Sequence, residues 1–244
     1  MFTETITGKH GNTETGTATE PHAITLLRRA VKRRGCTVEA TRTGGVIIEW
    51  DIWDGGITPK RCTITLEPTA PVGNITKTVR ADLAAIDARS GSYLVMEAEP
   101  EFRINVGRIR AGLHGVPPAA TKRLIDRGLV GVGAPYSATS NGFLVETRVP
   151  VRVPLAARLA MLAADHRTRA SAPAGYVRPA DIGMTGTVGL NKPGRRAGMV
   201  YDRSSAASCT CRRWTGTYDG ADEARRAARR HRQDATAAFV RALP

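Results

Sequence analysis

Cys209 and Cys211 flank Thr210, Trp214 follows, and a helix studded with arginine (Arg225, Arg226, Arg229, Arg230, Arg232) closes the chain. Thiols and imidazoles suit zinc, so Cys209, Cys211 and His231 are the first metal candidates. Structural zinc sites take four ligands at spacings such as Cys-x2–4-Cys; here the spacing is Cys-x-Cys and no fourth ligand is evident. The expectation is therefore no metal and no cofactor, with the thiols packed under Trp214 against a helix. Nucleophilic catalysis has less to work with. Ser204, Ser205 and Ser208 lack a Gly-x-Ser-x-Gly elbow, and His166 and His231 have no identifiable partner. Phosphate-binding glycine loops are absent. Glu49 and Asp51 share one strand face, which an exposed strand explains. These residues predict a protein that is not an enzyme.

The arginines are the binding candidates. The chain carries 36 Lys plus Arg against 22 Asp plus Glu, a net charge of +14. Such a balance favours polyanions or acidic protein faces. Guanidinium groups make charge-assisted, forked bonds to phosphates or carboxylates. On the last helix, predicted from Gly220 to Leu243, Arg225, Arg229 and Arg232 line one flank and Arg226 and Arg230 another. Ala224, Ala228, His231, Ala235, Ala238 and Ala242 form a shallow stripe, reinforced by Phe239 and Leu243. Asp219, Asp222 and Glu223 suit the start of such a helix.

The elements that position this region read as α+β. Residues 1–18 are rich in Thr, Gly and Glu and predict a tail or an edge strand. Thr19 caps a helix from Pro21 to Arg34, with Ile24, Leu27 and Val31 inward and Gly35 as its stop. Strands at 36–42, 46–53 and 60–67 alternate apolar and polar residues, with turns at Gly44-Gly45 and Asp54-Gly55-Gly56. This first unit, 1–67, is a helix packed on an antiparallel β-meander.

After a Pro/Gly linker, 77–167 is a second α+β unit. It has a helix from Thr78 to Arg89, strands at 92–98 and 102–109, a helix from Pro117 to Arg127 and a strand at 129–132. A strand at 143–153 follows, which Pro150 places at an edge, and then a helix from Leu155 to His166. The stretch "KRLIDRGLV" followed by a hairpin has winged-helix-like features. Residues 168–244 are an extended basic segment followed by the C-terminal helix. In 168–205, Arg178, Lys192, Arg195, Arg196 and Arg203 with Tyr176 and Tyr201 predict a segment draped over a partner or its own domain.

Apolar residues make up 41% of the chain, enough for a real core. The N-terminus has no charged region followed by an apolar run, and no stretch approaches the ~20 apolar residues that span a bilayer. The four cysteines then read as thiols, and the expectation is a cytoplasmic protein with no membrane partner.

Three stretches carry a resemblance: "MFTETITGKHG", "GYVRPADIGMTGTVGLNKPGRRAGMVYDRSSAASCTCRRW" and "EARRAARRHR". With the chain's length and composition, they make it similar to the recombination directionality factors of Streptomyces temperate phages that use a large serine integrase. The resemblance implies a factor that binds its integrase, within an integrase–DNA complex, at or near the coiled-coil arm. It would permit excision and inhibit integration in the bacterial cytoplasm, without catalytic residues and without specific DNA binding alone. Arg225, Arg226, Arg229, Arg230 and Arg232 would bind the partner. Two alternatives stay open. One is a winged-helix-like DNA-binding regulator of phage origin, reading DNA through Lys122, Arg123, Arg127 and the 143–153 hairpin. The other is a metal-assisted enzyme built on Cys209 and Cys211.

Overall fold

The computed structural model describes the chain except residues 54, 56, 57, 71, 89, 90, 99–103, 112, 113, 141, 142, 172–174, 178–187, 190–199 and 203. The described residues form a mixed α+β structure of antiparallel sheets and five helices. Arg178, Lys192, Arg195, Arg196, Arg203, and the side chains of Phe143, Val145, Glu146, Tyr176 and Tyr201, lie outside the described set.

The chain opens with a hairpin, β1 (Phe2–Thr7) and β2 (Thr13–Ala18), where the composition predicts a tail or an edge strand. Its register stacks Thr3 on Thr17, Thr5 on Thr15 and Thr7 on Thr13. Cross-strand threonine pairs of this kind stabilise a sheet with little apolar area. Helix α1 (Glu20–Lys32) follows, its first turn capped by the Thr19 hydroxyl, which accepts from the His22 amide. Strands β3 (Cys36–Ala40), β4 (Val46–Ile52) and β5 (Lys60–Pro68) complete a five-stranded sheet of order β2-β1-β5-β4-β3. Ala23, Leu27 and Ala30 of α1 are buried with Phe2, Val38, Val46, Ile48 and Leu66 of the sheet.

The second unit runs α2 (Lys77–Asp87), β6 (Tyr93–Ala98), β7 (Ile104–Ala111), β8 (His114–Val116), α3 (Pro118–Asp126), β9 (Gly131–Val132), β10 (Tyr136–Ser140) and β11 (Phe143–Arg152). Its sheet has the order β10-β11-β6-β7-β8, with β9 also on β11. β11 is therefore not an edge strand, contrary to what Pro150 predicts. Pairing on one side of β11 passes from β10, through Arg148, to β9, from Val151. Pro150, which has no N–H to give, falls in that break, and its carbonyl accepts from the Gly133 amide at 2.8 Å.

Helix α4 (Leu155–Asp165) joins the two units. Leu155 and Leu159 enter the core of the first sheet, while Ala157 and Ala160 enter that of the second. Contact with the first unit is close at Gly44 (φ +88°), where an added Cβ would stand 2.5 Å from the Ala156 carbonyl oxygen. The chain then runs through β12 (Thr168–Ala170), β13 (Gly175–Val177), β14 (Val188–Gly189), β15 (Val200–Asp202), β16 (Ser204–Cys209) and β17 (Thr215–Asp219) to α5 (Ala221–Ala242). Two small sheets result, β12-β16-β17 and β13-β15-β14. Residues 168–170 and 204–209 are thus paired strands within the stretch that predicts an extended segment.

Candidate functional site

Helix α5 begins with Asp222 and Glu223 in its first turn, where carboxylates oppose the positive end of the helix. It packs along β3, the edge strand of the first sheet. The Ala40 amide of that edge donates to the Thr236 hydroxyl at 3.1 Å, so the helix closes an otherwise open strand. Val240 and Leu243 join the core under α1, and Arg28 donates to the Leu243 carbonyl at 2.9 Å. The buried side of α5 is Ala224, Ala227, Ala228, Thr236 and Val240. Ala238 and Ala242, part of the predicted stripe, are exposed. Thr236 and Val240, spaced i, i+4 along the β3 edge, take the inner positions instead.

The five arginines separate into two classes. Arg229 and Arg232 turn back onto the protein. The Glu39 carboxylate accepts from Arg229 Nε at 3.1 Å and from Arg232 Nε at 2.7 Å. Arg229 also pairs with Glu49, and Arg232 donates to the Thr168 hydroxyl. Arg225, Arg226 and Arg230 are exposed. Arg225 meets only the exposed Asp222, at 2.9 Å, and among the described residues Arg226 and Arg230 have no ion-pair partner. Arg226 and Arg230 line a cleft of about 350 Å3 between α5 and β4, together with Trp50, Asp51 and Arg61.

A second constellation lies on the other side of α5. His166, Cys209, Cys211 and His231 bring one ligand atom each to within 4.8 Å of one another. His166 caps the C-terminus of α4, Cys209 ends β16, Cys211 sits in the β16–β17 turn and His231 projects from α5. The closest approaches are 3.2 Å between His166 Nδ1 and His231 Nε2, 3.4 Å between Cys211 Sγ and His231 Nε2, and 3.8 Å between Cys209 Sγ and His166 Nδ1. Trp214 stacks flat on the His231 ring, with centroids 4.8 Å apart.

Thr210 locks the arrangement. Its amide donates to the Arg167 carbonyl at 2.9 Å, and its hydroxyl donates to the Asp165 carbonyl at 2.7 Å while accepting from the Arg167 amide at 3.0 Å. The Cys211 amide points at Cys209 Sγ at 3.5 Å. Arg212, at φ 59°, turns the chain back toward β17. Burial lowers the pKa of both imidazoles, with Arg213 adding to the effect at His166 and the His166 charge at His231. Burial raises that of the Cys209 thiol. Without a metal, these directions bias the rings toward the neutral form and the Cys209 thiol toward the protonated form, although the Asp165 charge opposes the shift at His166.

The sequence supplies three members of this cluster and leaves out His166. The β12–β16 register, Thr168 opposite Cys209, carries His166 to the level of Cys211. That pairing is the signal that could have found it. Of the serines near the cysteines, Ser205 is buried with its hydroxyl unpartnered, so no base activates it. No protein-family model, no curated protein and no solved structure matches this chain.

Proposed function

We propose that this protein is a recombination directionality factor. It binds a phage serine integrase within the integrase–DNA complex and turns site-specific recombination from integration to excision, making and breaking no bonds itself. The observation that carries this reading is the exposed row Arg225, Arg226 and Arg230 on a helix whose opposite side is tied to the first sheet. Arg226 and Arg230, without an ion-pair partner among the described residues, and Arg225, paired to the exposed Asp222, stand on a rigid support; guanidiniums so placed lose little entropy on docking and form charge-assisted bonds with carboxylates. The flanking positions of coiled coils often carry Glu and Lys, and the glutamates there would accept such bonds. A partner without chemistry of its own reverses an outcome only by binding one assembly better than another, and ~1–3 kcal/mol per site is the usual coupling.

The winged-helix reading fits less well. Lys122 pairs with Asp126 at 2.9 Å, and Arg123 and Arg127 donate to the Ala119 and Asn74 carbonyls at 3.1 and 3.0 Å. Two of the cations that would read DNA, Arg123 and Arg127, are thus held on backbone carbonyls within the chain. A gel-shift series separates the two. The protein alone is expected to leave attachment-site DNA unshifted and to alter only complexes that already contain integrase. The Arg225/Arg226/Arg230→Ala triple variant is expected to lose that effect. A specific shift by the protein alone would overturn the proposal.

A further inference from the structure

We infer that His166, Cys209, Cys211 and His231 form a structural zinc site that pins the end of α4, the β16–β17 hairpin and α5 together. This inference stands independently of the integrase partner. Zinc lies ~2.3 Å from thiolate sulfur and ~2.0 Å from imidazole nitrogen in tetrahedral sites. Those lengths set ligand–ligand edges of about 3.5 Å between sulfur and nitrogen and about 3.3 Å between the two nitrogens. The observed separations are 3.4 and 3.8 Å for sulfur to nitrogen and 3.2 Å for nitrogen to nitrogen. These three of the six edges match the polyhedron the ion prefers, and all four ligand atoms lie within 4.8 Å of one another, so small side-chain shifts would close the tetrahedron.

The donor set selects the metal. Two thiolates and two imidazoles in a tetrahedron suit zinc over the hard cations, which take oxygen ligands. Four protein ligands leave no open position for a substrate water, so the site is structural. The Cys211 amide, 3.5 Å from Cys209 Sγ, offers the kind of donor that stabilises a metal-bound thiolate. The Thr210 hydrogen bonds to Asp165 and Arg167 fix His166 against the cysteine turn. Binding is an acid–base exchange without redox change: the ion takes both sulfur lone pairs as thiolates and two neutral imidazoles, and the two thiol protons leave to solvent. The neutral product suits a half-buried position.

The test uses the full chain, purified under reducing conditions without chelator. Elemental analysis is expected to find one zinc per chain. Cys211→Ser and His166→Asn are each expected to lose it, while the Cys36→Ser/Cys62→Ser double variant keeps it. To separate metal loss from misfolding of a ligand variant, demetallated wild-type protein is also titrated with cobalt(II). A thiolate-to-cobalt charge-transfer band and the intense visible bands of a tetrahedral ion are expected, saturating at one equivalent. Absence of both zinc and the charge-transfer band would overturn the site. So would full zinc content in a Cys209→Ser/Cys211→Ser variant, or its loss from the Cys36/Cys62 variant.

Discussion

Replacing Glu39 by Gln tests the division of the α5 arginines into those that hold the fold and those left for a partner. The Glu39 side chain is 16% exposed and accepts from Arg229 at 3.1 Å and Arg232 at 2.7 Å. A hydrogen bond to a charged group contributes roughly 1.5–3 kcal/mol when well shielded. Arg229 and Arg232 are 40% and 31% exposed, so solvent screening reduces that figure. For the pair we expect a loss of about 1–2 kcal/mol. In a chain of this size each kcal/mol moves the melting temperature by about 2–4 °C, so Glu39→Gln should melt about 2–8 °C lower. The comparison is the Arg226→Ala and Arg230→Ala single variants, each of which should stay within about 0.5 kcal/mol of wild type. Thermal unfolding followed by circular dichroism reads all three. A Glu39→Gln protein that melts with wild type, or an Arg226→Ala or Arg230→Ala variant that melts as low as Glu39→Gln, would refute the division.

Gly44→Ala forces a side chain into a left-handed turn and against the Ala156 carbonyl, 2.5 Å away; a loss of about 2 kcal/mol or more is expected in urea unfolding. Leu159→Ala empties a fully buried position on the helix shared by both cores, costing about 2–5 kcal/mol, with both units expected to unfold in one transition. Thr210→Val removes the hydroxyl that positions His166 and is expected to weaken zinc about 10–100-fold in competition with a chelator.

What the sequence made legible was what repeats locally. The helix capped by Thr19 and the alternation in β4 and β5 emerge where the residues predict them, and α2 within a few residues of its predicted span, its Thr76 cap being a finding of the structure. The opening hairpin was harder because its ladder is threonine, not valine or isoleucine. Thr3, Thr5, Thr7, Thr13, Thr15 and Thr17 do recur at alternate positions, and the β-branched chemistry was the available signal. β16 was obscured for a related reason. Its buried residues are Ser205, Ala207 and Cys209, small because they pack against the alanines of α5, and small side chains leave a faint apolar alternation. The four-residue cluster was legible only in part: the sequence offers Cys209, Cys211 and His231, and its spacing does not point to His166. His166 and Cys209 come together only through the register of β12 on β16. The same limit applies to the arginines: their helix was visible, but which of them meet Glu39 depends on how α5 lies across β3.

The most direct test of the central claim is recombination in a purified system with a cognate integrase, scored in both directions with and without this protein. Addition of the protein is expected to switch on joining of the hybrid attachment sites and to suppress joining of the integrative pair, with no DNA cleavage when integrase is left out. An unchanged ratio of the two products across a full titration would contradict the account.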